Sequence, residues 1–302
     1  MRVLIVGLGS IAKKHINALL QCHPEVEIYA LRSSHQAKPY EQVQDWYTWE
    51  EALNFRYDFV IISSPTSLHK QVIERLKESG MPLFIEKPLF DSLQGKELIE
   101  ELKVRKIPTY VACNLRFLEV IRSLQKLLKH VTVNEVNVYC GSYLPDWRPG
   151  TDYRQCYSAI PELGGGVHID LIHEIDYVYW LFGQPKRVHK VFTNKSSLDI
   201  RACDYANYLL EYPAFNVNII LNYYRRDGKR MCEIVTSEDT YTANLLDNTL
   251  SRAKGEILEQ YPQRIIDTYT VQMRFFLSML ETGNFNFNTV EDAYNVLKIC
   301  LE

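Results

Sequence analysis

Apolar residues gather in short runs separated by stretches of helical spacing. Residues 2–6 form a β-branched-rich run that Gly7 breaks, and Ile11 to Leu20 then follows the period of a helix. Four more apolar runs occupy 26–31, 58–62, 83–85 and 109–112. Stretches 67–79 and 92–105 carry helical spacing, and 32–57 offers one short helix near 49–54. Short apolar strands alternating with helices predict a parallel sheet covered on both faces.

The pattern changes near residue 115. A helix is expected over 115–128, and 131–140 alternates like a strand with one polar face. Residues 141–163 carry Gly, Pro, Trp, Arg and Tyr without period and are expected to form a long loop. Residues 167–182 suit a helix ended by Gly183. Strand-like runs follow at 186–193, 203–211, 216–224, 230–236 and 240–245, and helices at 263–281 and 289–301. Strands without crossover helices imply a mostly antiparallel sheet open on one side. The expected fold class is α/β. A doubly wound domain over 1–118 precedes an α+β domain over 119–302, the latter for substrate binding and oligomerisation.

Composition narrows the function classes. A chain of 302 residues exceeds one typical domain. Charged residues make up 24%, so wholesale disorder is excluded. The net charge is -3 with no Lys/Arg-rich run, which argues against a nucleic-acid partner. No apolar run nears the roughly 18 residues of a membrane span, and the first run is too short for a signal-peptide core. The seven cysteines are widely spaced, with no CxxC. That argues against a disulfide framework or a zinc site and for a reducing cytoplasm.

Gly7-Leu8-Gly9-Ser10-Ile11-Ala12 is GxGxxA between the first strand and the first helix. The first Gly permits the turn, the second lets backbone approach a pyrophosphate, and the small third residue lets helix and strand pack. The anion would lie on the helix N-terminus, where N–H groups and the dipole favour it. This is the Rossmann dinucleotide signature in its required context. The second strand ends Ala30-Leu31-Arg32-Ser33-Ser34, with Arg32 where NAD sites usually carry an acidic residue. Arg32 and Ser33 suit a 2′-phosphate, so NADP is favoured and NAD remains possible. The fourth strand ends Ile85-Glu86-Lys87-Pro88, which puts Lys87 in the ligand crevice of such a sheet.

With Ser64-Pro65-Thr66-Ser67-Leu68-His69, Asn114-Leu115-Arg116-Phe117, Trp147-Arg148 and Gly164-Gly165-Gly166 followed by Asp170 and His173, these motifs occur in the order of a known family. The chain resembles the Gfo/Idh/MocA oxidoreductases, the glucose–fructose oxidoreductase and inositol dehydrogenase group. The resemblance implies that Ser64, Pro65 and Thr66 line the cofactor with His69 nearby. It implies that Glu86 and Lys87 approach the nicotinamide ribose and Arg116 the nicotinamide. Trp147 and Arg148 would reach the cofactor from the second domain. Many members space the acid–histidine pair Asp-x-x-x-His, whereas Asp170 and His173 stand three apart, with His168 as a rival.

In one helix, Asp170 and His173 would share a face. A histidine there can exchange a proton near neutrality. Lys87 and His173 would polarise and deprotonate a secondary alcohol, with Asp170 beside them. Asp170, His173, Glu174 and Asp176 are not read as metal ligands. Within the loop, Tyr153, Arg154 and Tyr157 are candidates for substrate contact, since aromatic faces stack on rings and Arg forks bind phosphate or carboxylate. The loop resembles a branch associated with bacterial surface-polysaccharide sugars, which implies a sugar or nucleotide-sugar substrate. The alternatives are a cyclitol or dihydrodiol dehydrogenase and a non-catalytic sensor of the same fold. A homodimer or homotetramer is expected through the open sheet face.

Overall fold

The computed structural model describes residues 1–302. Contacts divide the chain into two units: Met1–Cys113 with Tyr269–Leu297, and Asn114–Thr268 with Lys298–Glu302.

The first unit contains β1 Arg2–Val6, α1 Ser10–Cys22, β2 Glu27–Leu31, β3 Val43–Trp46, α2 Trp49–Leu53, β4 Phe59–Ile62, α3 His69–Leu76, β5 Leu83–Glu86, α4 Lys96–Val104 and β6 Thr109–Ala112. Its sheet has the order β3-β2-β1-β4-β5-β6, with every pairing parallel. All residues of β4, β5 and β6 are buried, as expected of strands covered on both faces. Strand β1 pairs with β2 on one side and β4 on the other, so strand order reverses at its carboxyl end. Ligands of open α/β sheets bind at that point. A capping box from Thr48 and Glu51 starts α2.

The second unit contains α5 Glu119–Leu127, β7 Val133–Tyr143, α6 Val167–Asp170, α7 His173–Phe182, β8 Arg187–Thr193, β9 Tyr205–Glu211, β10 Asn216–Asn222, β11 Tyr224–Thr236, β12 Thr240–Asn244, β13 Thr249–Arg252 and β14 Glu256–Gln260. Its sheet has the order β14-β13-β12-β11-β7-β10-β9-β8, antiparallel except for the β10–β7 pair. Val136, Val138 and Cys140 of β7 lie opposite Val217, Ile219 and Leu221 of β10, all buried. Outward-facing Val191 and Leu209 are exposed, so this sheet has one open face.

The last two helices, α8 Thr268–Thr282 and α9 Val290–Leu301, correct the expected domain division. The first break falls at Cys113, before residue 118, and residues 269–297 return to the first unit. Packing gives the reason. Phe276 of α8 lies 4.9 Å from Phe59, 5.1 Å from Phe84 and 5.6 Å from Tyr110, ring centre to centre. Asn288 also exchanges hydrogen bonds with the backbone of Val111 on β6. The helix expected over 167–182 is broken too: α6 ends at Asp170 and α7 begins at His173. The expected long loop contains short 3-10 turns at Leu144–Trp147, Tyr153–Gln155, Tyr157–Ala159 and Pro161–Leu163.

Candidate functional site

The turn after β1 is fixed from both flanking strands. The Gly7 N–H donates to Leu31 O at 3.2 Å, and Ser63 Oγ donates to Gly7 O at 2.8 Å. Gly7 has φ +90°, and a Cβ there would lie 2.6 Å from Ser64 Cα. Glycine is therefore obligatory for internal reasons. Gly9 differs: a Cβ there meets nothing within 4 Å. Its bare face opens onto space in front of α1. That helix has no side-chain cap and no acidic residue in its first turn. The early N–H groups, those of Ser10, Ile11 and Ala12, precede the first in-helix hydrogen bond. Ala12 is buried and lets α1 close onto the sheet. An uncapped, unacidified helix start behind a glycine with open space fits a pyrophosphate.

The neighbouring strand ends supply the rest of this edge. The Ser64 hydroxyl is buried without a protein partner, Pro65 is exposed, and Thr66 opens a 3-10 turn. His69 is buried. Its Nε2 lies 3.0 Å from Ser64 O, and its Nδ1 lies 3.1 Å from Pro88 O and 3.3 Å from Leu89 O. It thus ties the Ser64 loop to the turn after β5. Burial pushes its pKa below the ordinary histidine value. Glu86 is held by His15 of α1, and its second oxygen accepts the Lys87 N–H at 3.1 Å. Half-buried Lys87 follows directly and precedes a cis proline, Pro88.

Arg32 lies at the end of β2 but is already engaged. Its Nη1 donates to both carboxylate oxygens of Asp45, at 2.9 and 3.0 Å, and its Nη2 donates to Lys38 O at 3.3 Å. Ser33, the next residue, is exposed.

In the second unit, Asp170 is the centre of a cluster. Tyr157 donates to its Oδ1 at 2.8 Å and Tyr223 to its Oδ2 at 2.5 Å. Burial, reinforced by the Asp170 charge, raises both phenol pKa values, so both keep their protons. The Arg148 guanidinium lies 5.1 Å from the Tyr157 ring centre. Trp147 meets Tyr223 edge-on at 5.4 Å and donates to Ser142 Oγ at 2.9 Å. Trp147, Arg148, Tyr157 and Asp170 therefore belong to one group. Tyr153 and Arg154 turn away from it: Tyr153 donates to Leu198 O at 2.9 Å, and the half-exposed Arg154 lies over the Tyr153 ring.

The break at Leu171 and Ile172 removes the premise that Asp170 and His173 share the face of one helix. Asp170 closes α6, and His173 is the first residue of α7. The acids after it are committed to packing. Glu174 accepts from Arg230, and Asp176 receives Arg116 Nε at 2.9 Å and Nη2 at 2.7 Å. The Arg116 and Asp176 side chains are 3% and 1% exposed, so this guanidinium is an internal tie of the second unit. His168 stacks on Phe192 at 4.8 Å, and burial pushes its pKa down to about 4. No group of three or more His, Cys, Asp or Glu side chains converges as a metal site.

Three residues of these clusters escape the sequence reading. His15 is signalled by a histidine in the apolar stripe of Ala12, Ile16 and Leu19. Tyr223 continues the core register of Val217, Ile219 and Leu221, and a buried phenol needs a partner. Asp45 carries no such signal, because its meaning depends on the β2–β3 pairing.

Comparison with known proteins agrees with both units. Residues 1–112 match the oxidoreductase family with the NAD-binding Rossmann fold, and residues 121–242 match the Gfo/Idh/MocA C-terminal domain. The chain belongs to the Gfo/Idh/MocA oxidoreductase family. Myo-inositol 2-dehydrogenase of Thermotoga maritima is 25% identical over 208 residues, 66% of this chain and 59% of that protein. The chain spans about a third to three-fifths of the first curated relatives it matches. UDP-N-acetylglucosamine 3-dehydrogenase of Acidithiobacillus ferrooxidans shares the fold with a TM-score of 0.80 at 18% identity, covering 100% of this chain and 95% of that one. Myo-inositol 2-dehydrogenase of Lactobacillus plantarum does so with a TM-score of 0.80 at 20% identity, covering 99% and 95%. No helix is long and apolar enough to cross a membrane.

Proposed function

We propose that this family member is an NAD(P)-dependent oxidoreductase that moves a hydride between nicotinamide and a secondary alcohol or ketone of a sugar or nucleotide-linked sugar. The observation that carries this reading is the bare Gly9 face before the uncapped start of α1, at the point where the parallel sheet reverses. Gly7, Gly9, Ser10, Ile11 and Ala12 would cradle the pyrophosphate. Ser64, Pro65, Thr66 and Glu86 would line the cofactor further along that edge. Arg32 and Ser33 would receive the 2′-phosphate of NADP, with NAD as the other dinucleotide. When bound, the dinucleotide supplies the hydride acceptor or donor.

Lys87 would polarise the reacting oxygen, and His173 would take or return its proton. Asp170, accepting from two phenols that hold their own protons, would orient a substrate hydroxyl. Tyr157, beside Arg148, would face the sugar ring. The relatives named for inositol and for a UDP-sugar support cyclitol and nucleotide-sugar substrates respectively. Exposed Val191 and Leu209 support a homo-oligomer joined through the open sheet face.

The test combines fluorescence titration with NADPH and NADH and a turnover screen of myo-inositol, free sugars and UDP-N-acetylhexosamines. Binding plus turnover of one class fixes the substrate. Binding without turnover of any favours the sensor reading, and binding of neither dinucleotide overturns the proposal. Lys87→Ala should keep its fold and lose about 10²-fold or more in kcat.

A further inference from the structure

The cofactor edge carries a carboxylate that the strand-turn-helix motif does not explain. Asp45 lies on β3 directly opposite Ala30 of β2. Arg32 is two residues beyond Ala30, hence on the same side of the sheet. Ala30 is fully buried and ends at its methyl group, which leaves room for the longer side chain to fold back towards β3. The result is the Arg32–Asp45 contact at 2.9 and 3.0 Å, with the two side chains only 8% and 12% exposed. The Lys38 carbonyl, on the loop that follows, accepts from Nη2 of the same guanidinium. Arg32 is therefore held by two partners within the protein itself.

This arrangement changes what Arg32 offers a dinucleotide. An unopposed guanidinium at the end of the second strand favours a 2′-phosphate by charge-assisted hydrogen bonds. An acidic group there favours the ribose hydroxyls of NAD. Here both charges occupy one contact. A 2′-phosphate must draw the fork from Asp45 or lie near a second anion, whereas ribose hydroxyls meet neither demand.

We propose that Asp45 determines dinucleotide choice in this protein, restraining Arg32 so that NAD is admitted and the preference for NADP is reduced. The inference rests on the NAD(P)-dependent reading above. It assigns specificity to a pair of strands rather than to the second strand alone.

The experiment measures NADPH and NADH affinity by fluorescence titration at one fixed low ionic strength. The proteins are the wild type, Asp45→Asn, Arg32→Met and the double variant, with folding checked by circular dichroism. Asp45→Asn should shift the affinity ratio towards NADPH by about fivefold or more, the order of one partly buried charge pair. Arg32→Met should weaken NADPH and leave NADH within about twofold. The gain from removing Asp45 should shrink in the double variant, because the released guanidinium carries it. Asp45→Ser, which removes the charge with a different shape, should shift the ratio in the same direction.

An unchanged ratio in both Asp45 variants, in protein that still binds dinucleotide, overturns the inference and leaves the oxidoreductase reading standing. A gain of equal size in the double variant overturns it as well, since Arg32 would then play no part. Wild-type protein that binds neither dinucleotide removes the underlying reading and this inference together.

Discussion

Gly7 and Gly9 stand two residues apart and answer different demands. The first is glycine because the Ser63–Ser64 backbone after β4 leaves no room for a Cβ, whereas a Cβ at the second would meet nothing within 4 Å, in keeping with the proposed approach of a pyrophosphate there. Gly7→Ala should therefore lower unfolding free energy by about 2 kcal/mol. Gly9→Ser should leave stability within about 0.5 kcal/mol, since serine is itself a good helix cap. The same substitution should weaken dinucleotide binding about tenfold, because the new hydroxyl takes the N–H groups and the space that a pyrophosphate needs. Denaturant melts and NADH titration separate the two effects.

His168 gives a pH prediction at the same scale. Burial lowers its pKa from 6.5 to about 4, with Lys190 adding to the effect and Asp170 opposing it. A histidine held neutral in the fold contributes stability that is complete above the unfolded value, near pH 6.5, and lost as pH falls towards 4. The loss should amount to about 2–3 kcal/mol across that window. Thermal melts from pH 7 to 4 should show His168→Gln less acid-sensitive than the wild type.

At the scale of elements, Arg116 lies in the 3-10 turn Asn114–Phe117 and reaches Asp176 on α7. Both groups are buried, so removing one strands the other's charge. Arg116→Met should cost about 3–5 kcal/mol in urea unfolding, and adding Asp176→Leu should recover part of it. The helices and strands that pattern alone revealed are those with one clear apolar period. Strand β3, Val43–Trp46, is an edge strand with little full burial, and β14, Glu256–Gln260, is exposed along its length. Neither leaves a hydrophobic signature. The break between α6 and α7 falls on Leu171 and Ile172, apolar residues that continue the helical pattern across it. The motifs around Gly7 and Lys87 were legible because backbone geometry and strand ends dictate them locally. The side-chain partners of Asp170, Arg32 and Glu86 were not, because strand pairing and tertiary packing bring them in from 13 to 71 residues away.

At the scale of the whole molecule, the first unit is discontinuous. Phe276 fills the space bounded by Phe59, Phe84 and Tyr110, and Asn288 satisfies the backbone of β6. A fragment of residues 1–118 should therefore lack a cooperative thermal transition, whereas residues 1–113 joined by a flexible linker to 269–297 should show one. Calorimetry of the two polypeptides decides this. A cooperative transition in the shorter one would make α8 and α9 an accessory to the dinucleotide unit rather than part of its core.

The same discontinuity sets an order of events at the ribosome. All six parallel strands and α1 emerge early, yet the aromatic wall that α8 completes waits for roughly 150 further residues. At about 5–20 residues per second, that wait lasts roughly ten to thirty seconds. Throughout it, a nascent chain displays Phe59, Phe84 and Tyr110 to whatever binds greasy surfaces in the cell. A translation product that stops before α8 should leave that aromatic wall open to chaperones and proteases.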